Sequence, residues 1–263
     1  ELTETRTARI VWAELFNSRL DDTFLVLEEI GNRIVASVAS EIETIERNRA
    51  ILRPPNSLDA WEAHHRGLWH MYRFNKADNE KAQHFFRTAL RLDPTFARAH
   101  AGLSFTHFQN AFQGWTPRAP EVDRALEAAG QSLLADDRDP AAHWAMGRAL
   151  WLRGQQDQAL SELEQAVDLS PNFALGHYTL AFVHSQAGDP SAAISFSDQS
   201  RHLSPFDPLL FGMLGARAKA RAYLAAIHKT LPHYRVDDFF RAMQFTAEGE
   251  KLFRGGARKI GLG

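Results

Sequence analysis

The sequence predicts an all-α solenoid of stacked helix-turn-helix units, and three observations support this fold class. Small residues and a closing proline recur at a spacing of 34 residues; the corresponding pairs are Gly147 and Ala181, Ala159 and Ala193, Leu163 and Ser197, Ala166 and Ser200, and Pro171 and Pro205. Small residues let two helices approach closely, and a proline ends one helix before the next unit begins. The pattern fits four units, and about three or more are needed for a continuous core.

The repeat pattern also divides the chain into segments. The predicted units cover about 60–96, 97–139, 140–173 and 174–207, and a fifth begins at Pro208. Units three and four fit the 34-residue template. The inter-helix turn of unit one is three residues longer than in the template, and the turn of unit two, around 114–120, carries about nine extra residues.

The segments outside the repeats have different patterns. Residues 1–20 predict a β-hairpin, because the run from Arg9 to Phe16 is β-branched and aromatic. The hairpin is interpreted as the remnant of a preceding α/β domain, or as a segment that packs on the helices. Residues 21–53 predict one long connecting helix, since apolar residues step by three or four from Phe24 to Ile45. The repeat region is assigned to 54–215, and 216–263 to C-terminal helices and a capping tail.

Composition excludes several classes of function. The 263 residues carry a formal net charge of −2, and they include no cysteine. There is thus no strongly basic footprint for direct nucleic-acid binding, no disulfide framework and no thiolate metal site. No apolar run reaches the roughly 18 residues of a membrane span. We expect a cytoplasmic chain without membrane contact, and because it starts at Glu1 in the middle of a pattern, we interpret it as a fragment.

Catalytic motifs are absent from the sequence. It has no G-x-S-x-G, H-E-x-x-H, P-loop or G-x-G-x-x-G. Five of the twelve histidines occupy positions that usually hold aromatic residues and are interpreted as structural: His100, His107, His143, His177 and His184. Pairs such as His100 and His107 lie seven residues apart, about 10.5 Å along a helix, too far to share one zinc ion. We therefore predict no enzyme activity in this segment, no cofactor and no metal.

The repeats resemble the tetratricopeptide (TPR) family over about 58–215, which implies a right-handed superhelix. The flanks, including Val11-Trp12-Ala13-Glu14-Leu15-Phe16 and Leu252-Phe253-Arg254-Gly255-Gly256, resemble bacterial signalling proteins in which a TolB-like segment precedes TPRs. In that group the effector is a class III adenylate or guanylate cyclase or a winged-helix transcriptional regulator. Here unit five departs from the group's pattern, which indicates a deletion or residues missing near 216–219. The effector itself is not visible in these residues.

The resemblance also implies a concave binding groove lined by the first helix of each unit. The matching positions include aromatic, basic and polar residues: Trp61, His64, Tyr72, Arg98, Phe105, Phe108, Gln109, Trp144, Arg148, Trp151, Tyr178 and Phe182. Exposed aromatic residues and arginines are typical of binding hot spots. An alternative is that the 22–52 helix, which carries several glutamates, or the C-terminal segment fills the groove.

Three hypotheses for function remain open at this stage. The groove binds a protein or peptide segment, including a segment of the chain's own effector domain. Alternatively, it holds a small molecule between Trp144, Trp151 and Tyr178, with Arg148 as the anchor. As a third possibility, the groove or an open end of the stack forms a homo-oligomer, such as a homodimer.

Overall fold

The fold was analysed in a computed structural model that describes residues 1–5, 8–13, 15, 23–54 and 58–204, together with 246, 247, 250, 251 and 254. Two short strands and nine helices lie in these residues: β1 (Leu2–Glu4), β2 (Arg9–Trp12), α1 (Thr23–Leu52), α2 (Ala60–Met71), α3 (Lys76–Leu92), α4 (Ala97–Phe112), α5 (Arg118–Ala135), α6 (Pro140–Arg153), α7 (Gln156–Leu169), α8 (Ala174–Ala187) and α9 (Pro190–Leu203). The predicted fifth unit from Pro208, and nearly all of the predicted C-terminal helices, lie outside the described residues.

Helices α2 to α9 form four antiparallel pairs, α2 with α3 through to α8 with α9, and each pair packs on the next. The array is the TPR-like helical stack that the sequence predicts. Its main core is continuous from Leu68 in unit one to Val183 in unit four. No single unit could bury its apolar face alone, so the stack folds as one body.

Small residues set the distance between the helices of a unit. A Cβ added to Gly147 on α6 would lie 2.6 Å from the Cγ of Leu163 on α7. A Cβ on Gly67 or Gly102 would lie 2.6 Å from the ring of Phe86, which is completely buried between them. At these interfaces, glycine on one helix therefore leaves room for a large side chain on the facing helix.

Side-chain caps fix where the helices begin. Asp59 and Glu62 form a reciprocal capping box at the start of α2. Asp139 and Asp189 cap α6 and α9, and each is followed by a proline at the first helical position. The helices before the short turns of units three and four end at Gly154 and Gly188, at φ 86° and 90°, a left-handed conformation that favours glycine.

The turn of unit two is shorter than the sequence suggested. The extra residues lengthen the helices, because α4 continues to Phe112 and α5 begins at Arg118, before Pro120. A proline in the first turn of a helix costs little, since its missing N–H would have no partner within the helix. Only 113–117 remain as the connecting turn.

The segment before the repeats lies against the stack. β1 and β2 pair antiparallel, and Glu4 forms a 2.7 Å ion pair with Arg49 of α1. At 30 residues, α1 is about 45 Å long. It contacts both α2, in the first unit, and α9, in the fourth. This helix therefore bridges the two ends of the stack.

We predict that Gly147→Ala destabilises the protein by about 1–3 kcal/mol, because the added methyl group overlaps Leu163 and the carbonyl oxygen of Ala159. Gly130→Ala on α5 is the matched control, since a Cβ there has no neighbour within 4 Å. It is expected to stabilise the helix by up to about 1 kcal/mol. Urea unfolding of both variants measures the difference, and equal effects at the two sites would contradict this packing argument.

Candidate functional site

The structure divides the twelve predicted groove residues into two sets. Six have less than a tenth of their surface exposed: His64, Phe105, Phe108, Gln109, Trp144 and Trp151. Six keep more contact with solvent: Trp61, Tyr72, Arg98, Arg148, Tyr178 and Phe182. Much of the aromatic surface predicted from the sequence therefore also holds neighbouring units together.

The buried aromatic residues form a continuous row across units two, three and four. Neighbouring ring centroids lie 5.0 Å apart for Phe105 and Trp144, 5.9 Å for Phe108 and Trp151, and 5.1 Å for Trp151 and Phe182. Such tilted and edge-on pairs are favourable contacts between aromatic rings. The row forms a continuous aromatic surface along the first helices of these units.

Polar side chains join the units along the same row. The indole N–H of Trp144 donates to Oγ1 of Thr179 at 2.9 Å, and that of Trp151 donates to Oε1 of Gln186 at 3.2 Å. Each acceptor lies 35 residues after its donor, so the same contact is made twice at nearly the repeat spacing. The sequence analysis missed Thr179, although this 35-residue offset from Trp144 is visible in the sequence.

Among the predicted groove residues, Arg148 has the most unusual surroundings, because its guanidinium group lies near three aromatic rings. Its guanidinium carbon lies 4.2 Å from the ring of Phe108, 4.9 Å from that of Phe105 and 5.5 Å from that of Trp144. Nη1 donates to Thr179 at 3.3 Å, whereas Nε is buried without a hydrogen-bond partner. Among the described residues, no carboxylate is within ion-pair distance of it. Burial lowers the pKa of Arg148 to about 10, and it remains a cation at neutral pH.

The predicted groove residues of unit one lie next to α1. The indole N–H of Trp61 donates to Oε2 of Glu46 at 3.2 Å, and the guanidinium carbon of Arg47 lies 5.3 Å from the ring of Tyr72. Arg98 pairs with Asp139 at 2.7 Å. Although burial opposes it, this pairing and the charges of Asp139 and Glu43 raise the pKa of Arg98. Helix α1 thus reaches three of the predicted groove residues.

Histidines at the fourth position of units two to four stabilise the turns before them. Each Nε2 lies within hydrogen-bond distance of a carbonyl six residues earlier: His100 of Pro94 at 3.1 Å, His143 of Asp137 at 2.8 Å and His177 of Pro171 at 2.9 Å. Three histidines near the ends of first helices pair instead with an acid of the second helix or its cap: His70 with Asp78, His107 with Glu121 and His184 with Asp189. These contacts tie each turn, or the second helix, to the first helix of its unit.

The pair of His107 and Glu121 belongs to a buried network that the sequence analysis did not identify. Their 2.6 Å contact lies within a core that also contains Asn110, which donates to Glu121 and accepts from Asn79. Burial acts to raise the pKa of Glu121, but hydrogen bonds from His107 and Asn110 outweigh it and the pKa is lowered. Glu121 is therefore ionised and fully paired, which fits a structural role.

The described part of the chain contains no group of three or more histidine or acidic side chains placed to hold a metal ion. Within the same residues, no helix has the combination of length and hydrophobicity that a bilayer span requires.

Comparison with known proteins identifies the class of this region. A family model described as TPR repeat matches residues 147–188, which contain units three and four in part. The solved structure of a thermophilic TPR protein from Thermus thermophilus superposes with a TM-score of 0.53 at 16% identity, covering 69% of this chain and 94% of that one. This likeness supports the fold alone. The chain contains a TPR region, a class that generally binds proteins or peptides and is typically non-catalytic.

A curated protein with a similar sequence gives a more specific comparison than the fold does. "Putative adenylate cyclase 3" of Rhizobium meliloti (strain 1021) is 28% identical over 157 residues, which make up 58% of this chain and 26% of that protein. The chain therefore spans about a quarter of the length of the curated relative that it matches, and part of it is distantly homologous to that protein.

We predict that the stability of the protein falls as the pH decreases from about 6.5 to about 4. Burial lowers the pKa of His65 to about 4 and that of His64 well below its usual 6.5. The unfolded chain therefore binds more protons than the folded chain in this interval, and stability is complete only above it. Urea unfolding across the pH series measures the slope.

His65→Phe is expected to reduce this slope, because it removes the proton-binding group. Phe96→Leu is the control, since Phe96 packs 4.9 Å from the ring of His64 but cannot titrate, and it should lower stability equally at every pH. A pH slope that is unchanged in His65→Phe would contradict the assignment.

Proposed function

We propose that this chain is the peptide-binding regulatory region of a bacterial signalling protein, in which the TPR groove recognises a protein segment and reports its occupancy to an effector domain. The TPR fold and the distant homology to a protein named as an adenylate cyclase support this function. The effector of the full-length protein would be a cyclase or, as in related architectures, a winged-helix transcriptional regulator. Such a region would act in the cytoplasm.

The observation that carries this proposal is the charge of Arg148, which forms no ion pair with any carboxylate of the described residues. A half-buried guanidinium without a counter-ion is costly, and aromatic rings compensate only part of its lost hydration. A carboxylate from a bound peptide could accept hydrogen bonds from the guanidinium in the bidentate geometry that arginine favours. The half-buried Tyr178 and Phe182, on α8, would lie beside the same peptide as apolar contacts.

A peptide is favoured over a small molecule because of how the tryptophans are held. Trp144 and Trp151 are at most 5% exposed, and both indole N–H groups already donate to the next unit. A metabolite inserted between them would have to break this packing. A peptide on the surface of the row needs no such change, so the small-molecule hypothesis becomes the second candidate. No observation on the described surface favours the homo-oligomer.

Helix α1 is the proposed route from the groove to the effector. It contacts Trp61 and Tyr72 at the first end of the groove and α9 at the other end of the stack. A peptide that extends to the first unit would compete with Glu43 and Glu46 for the region of Arg98 and Trp61. Movement of α1 would then transmit binding to the residues that precede it, including β1, which Glu4 links to Arg49.

We expect Arg148→Gln to weaken peptide binding by at least about tenfold, because a hydrogen bond to a charged group contributes about 1.5–3 kcal/mol. The probes are peptides selected from a random phage-displayed library on this chain and then synthesised for calorimetric titration. Arg153→Gln, at the exposed end of the same helix, is the control with an equal change of charge. Selected peptides that bind Arg148→Gln as tightly as the parent would overturn the proposed site.

We also expect the double substitution of Glu43 and Glu46 by glutamine to raise the affinity for those peptides several-fold, because it weakens the hold of α1 on Arg98 and Trp61. Glu41→Gln on the same helix serves as the control. The measurement is the same titration. Unchanged or reduced affinity in the double variant, with the fold retained by circular dichroism, would argue against competition between α1 and the peptide.

A further inference from the structure

A separate cavity lies on the first unit, between α2, α3 and the last turn of α1. Its volume is about 780 Å³, and it is lined by Arg66, Trp69, Arg73, Lys81 and Phe85 among others. Small-molecule sites commonly measure about 300–1,000 Å³. None of the twelve predicted groove residues lines it, so it is distinct from the peptide groove.

Two guanidinium groups in this cavity lie over aromatic rings. The guanidinium carbon of Arg73 lies 3.6 Å from the centroid of Trp69, and that of Arg66 lies 5.0 Å from the centroid of Phe85. Phe85 is buried and is itself stacked at 5.5 Å on His70. Stacking restricts each arginine but leaves the N–H groups in the guanidinium plane available to an acceptor. The two arginines are thus pre-organised for an anion.

The cavity also has more donors than the protein satisfies. Nη1 of Arg66 donates to the carbonyl of Arg53 at 2.7 Å, while its Nε is buried without a partner. In the described part of the chain, neither Arg73 nor Lys81 forms an ion pair.

Two acids line the same cavity, and they offset only part of its positive charge. Asp78 is already bonded to His70 at 2.7 Å and accepts from Nδ2 of Asn75 at 2.8 Å. Glu80 is exposed on α3. The three cations outnumber the two acids, so the lining carries a net positive charge. The N–H donors of these cations suit a ligand that is rich in acceptor oxygens.

We propose that this cavity binds a small molecule through an oxyanion, either a phosphate or a carboxylate group, with Arg66 and Arg73 as the anchors. Such a site would add a second, chemically different input to the region, alongside the peptide groove. It stands independently of the proposed peptide-binding function, since the two sites share no residue.

The test is calorimetric titration of the chain with pyrophosphate and, separately, with citrate, at constant ionic strength. We expect saturable binding of at least one of them, and at least a tenfold loss of affinity in Arg73→Gln. Arg73 is exposed, so this variant should remain folded, and circular dichroism checks it. Binding of pyrophosphate alone assigns a phosphate ligand, and binding of citrate alone assigns a carboxylate ligand.

Two control variants separate this site from non-specific attraction and from the groove. Arg91→Gln removes an equal charge from an exposed position on α3, outside the cavity, and Arg148→Gln removes the cation of the proposed groove. Both should bind the probe like the parent. Absence of saturable binding, an undiminished affinity in Arg73→Gln, or an equal loss in Arg91→Gln would overturn the proposal.

Discussion

The close approach of paired helices is the constraint on which the rest of this structure depends. Gly67 and Gly102 both face the ring of Phe86, and Gly147 faces Leu163, at distances that admit no additional methyl group. Interiors of proteins are packed as densely as organic crystals, so a helix displaced at one interface shifts its neighbour. Nearly all the predicted groove residues belong to the first helix of each unit. Their positions therefore depend on how that helix packs against the second helix of the unit.

The interfaces within and between units combine apolar packing with directional polar contacts. Ser132 and Ser200 donate to the carbonyls of Ala97 and Ala174, at 2.8 and 2.7 Å, and so tie the end of a second helix to the start of its first. The tryptophan bonds to Thr179 and Gln186 do the same from one unit to the next. A buried donor that loses its partner costs about 1–3 kcal/mol, so these contacts select one register of stacking.

The predicted groove and the cavity of unit one share one physical feature, a guanidinium that lies over aromatic rings and forms no ion pair within the part of the chain that the structure describes. In the groove the cation is Arg148 on Phe105, Phe108 and Trp144; in the cavity it is Arg73 on Trp69. Such a cation can still pair with an anionic group of a ligand, whereas an arginine in an internal salt bridge is already paired. Arg98 illustrates the contrast, since its pairing with Asp139 commits it to holding units two and three together.

The sequence by itself determined the repeat, because the helical period and the offsets of small residues are local properties. The start of α6 at Pro140 and the end of α8 before Gly188 could be placed from caps and prolines alone. The sequence also suggested which face of each first helix carries the aromatic residues. Only the tertiary structure decided that Trp144 and Trp151 lie buried between units, while Arg148 forms no ion pair among the described residues. It also decided that α1 lies against Trp61 and Tyr72. These arrangements depend on contacts between different helices, which the pattern of each helix alone does not determine.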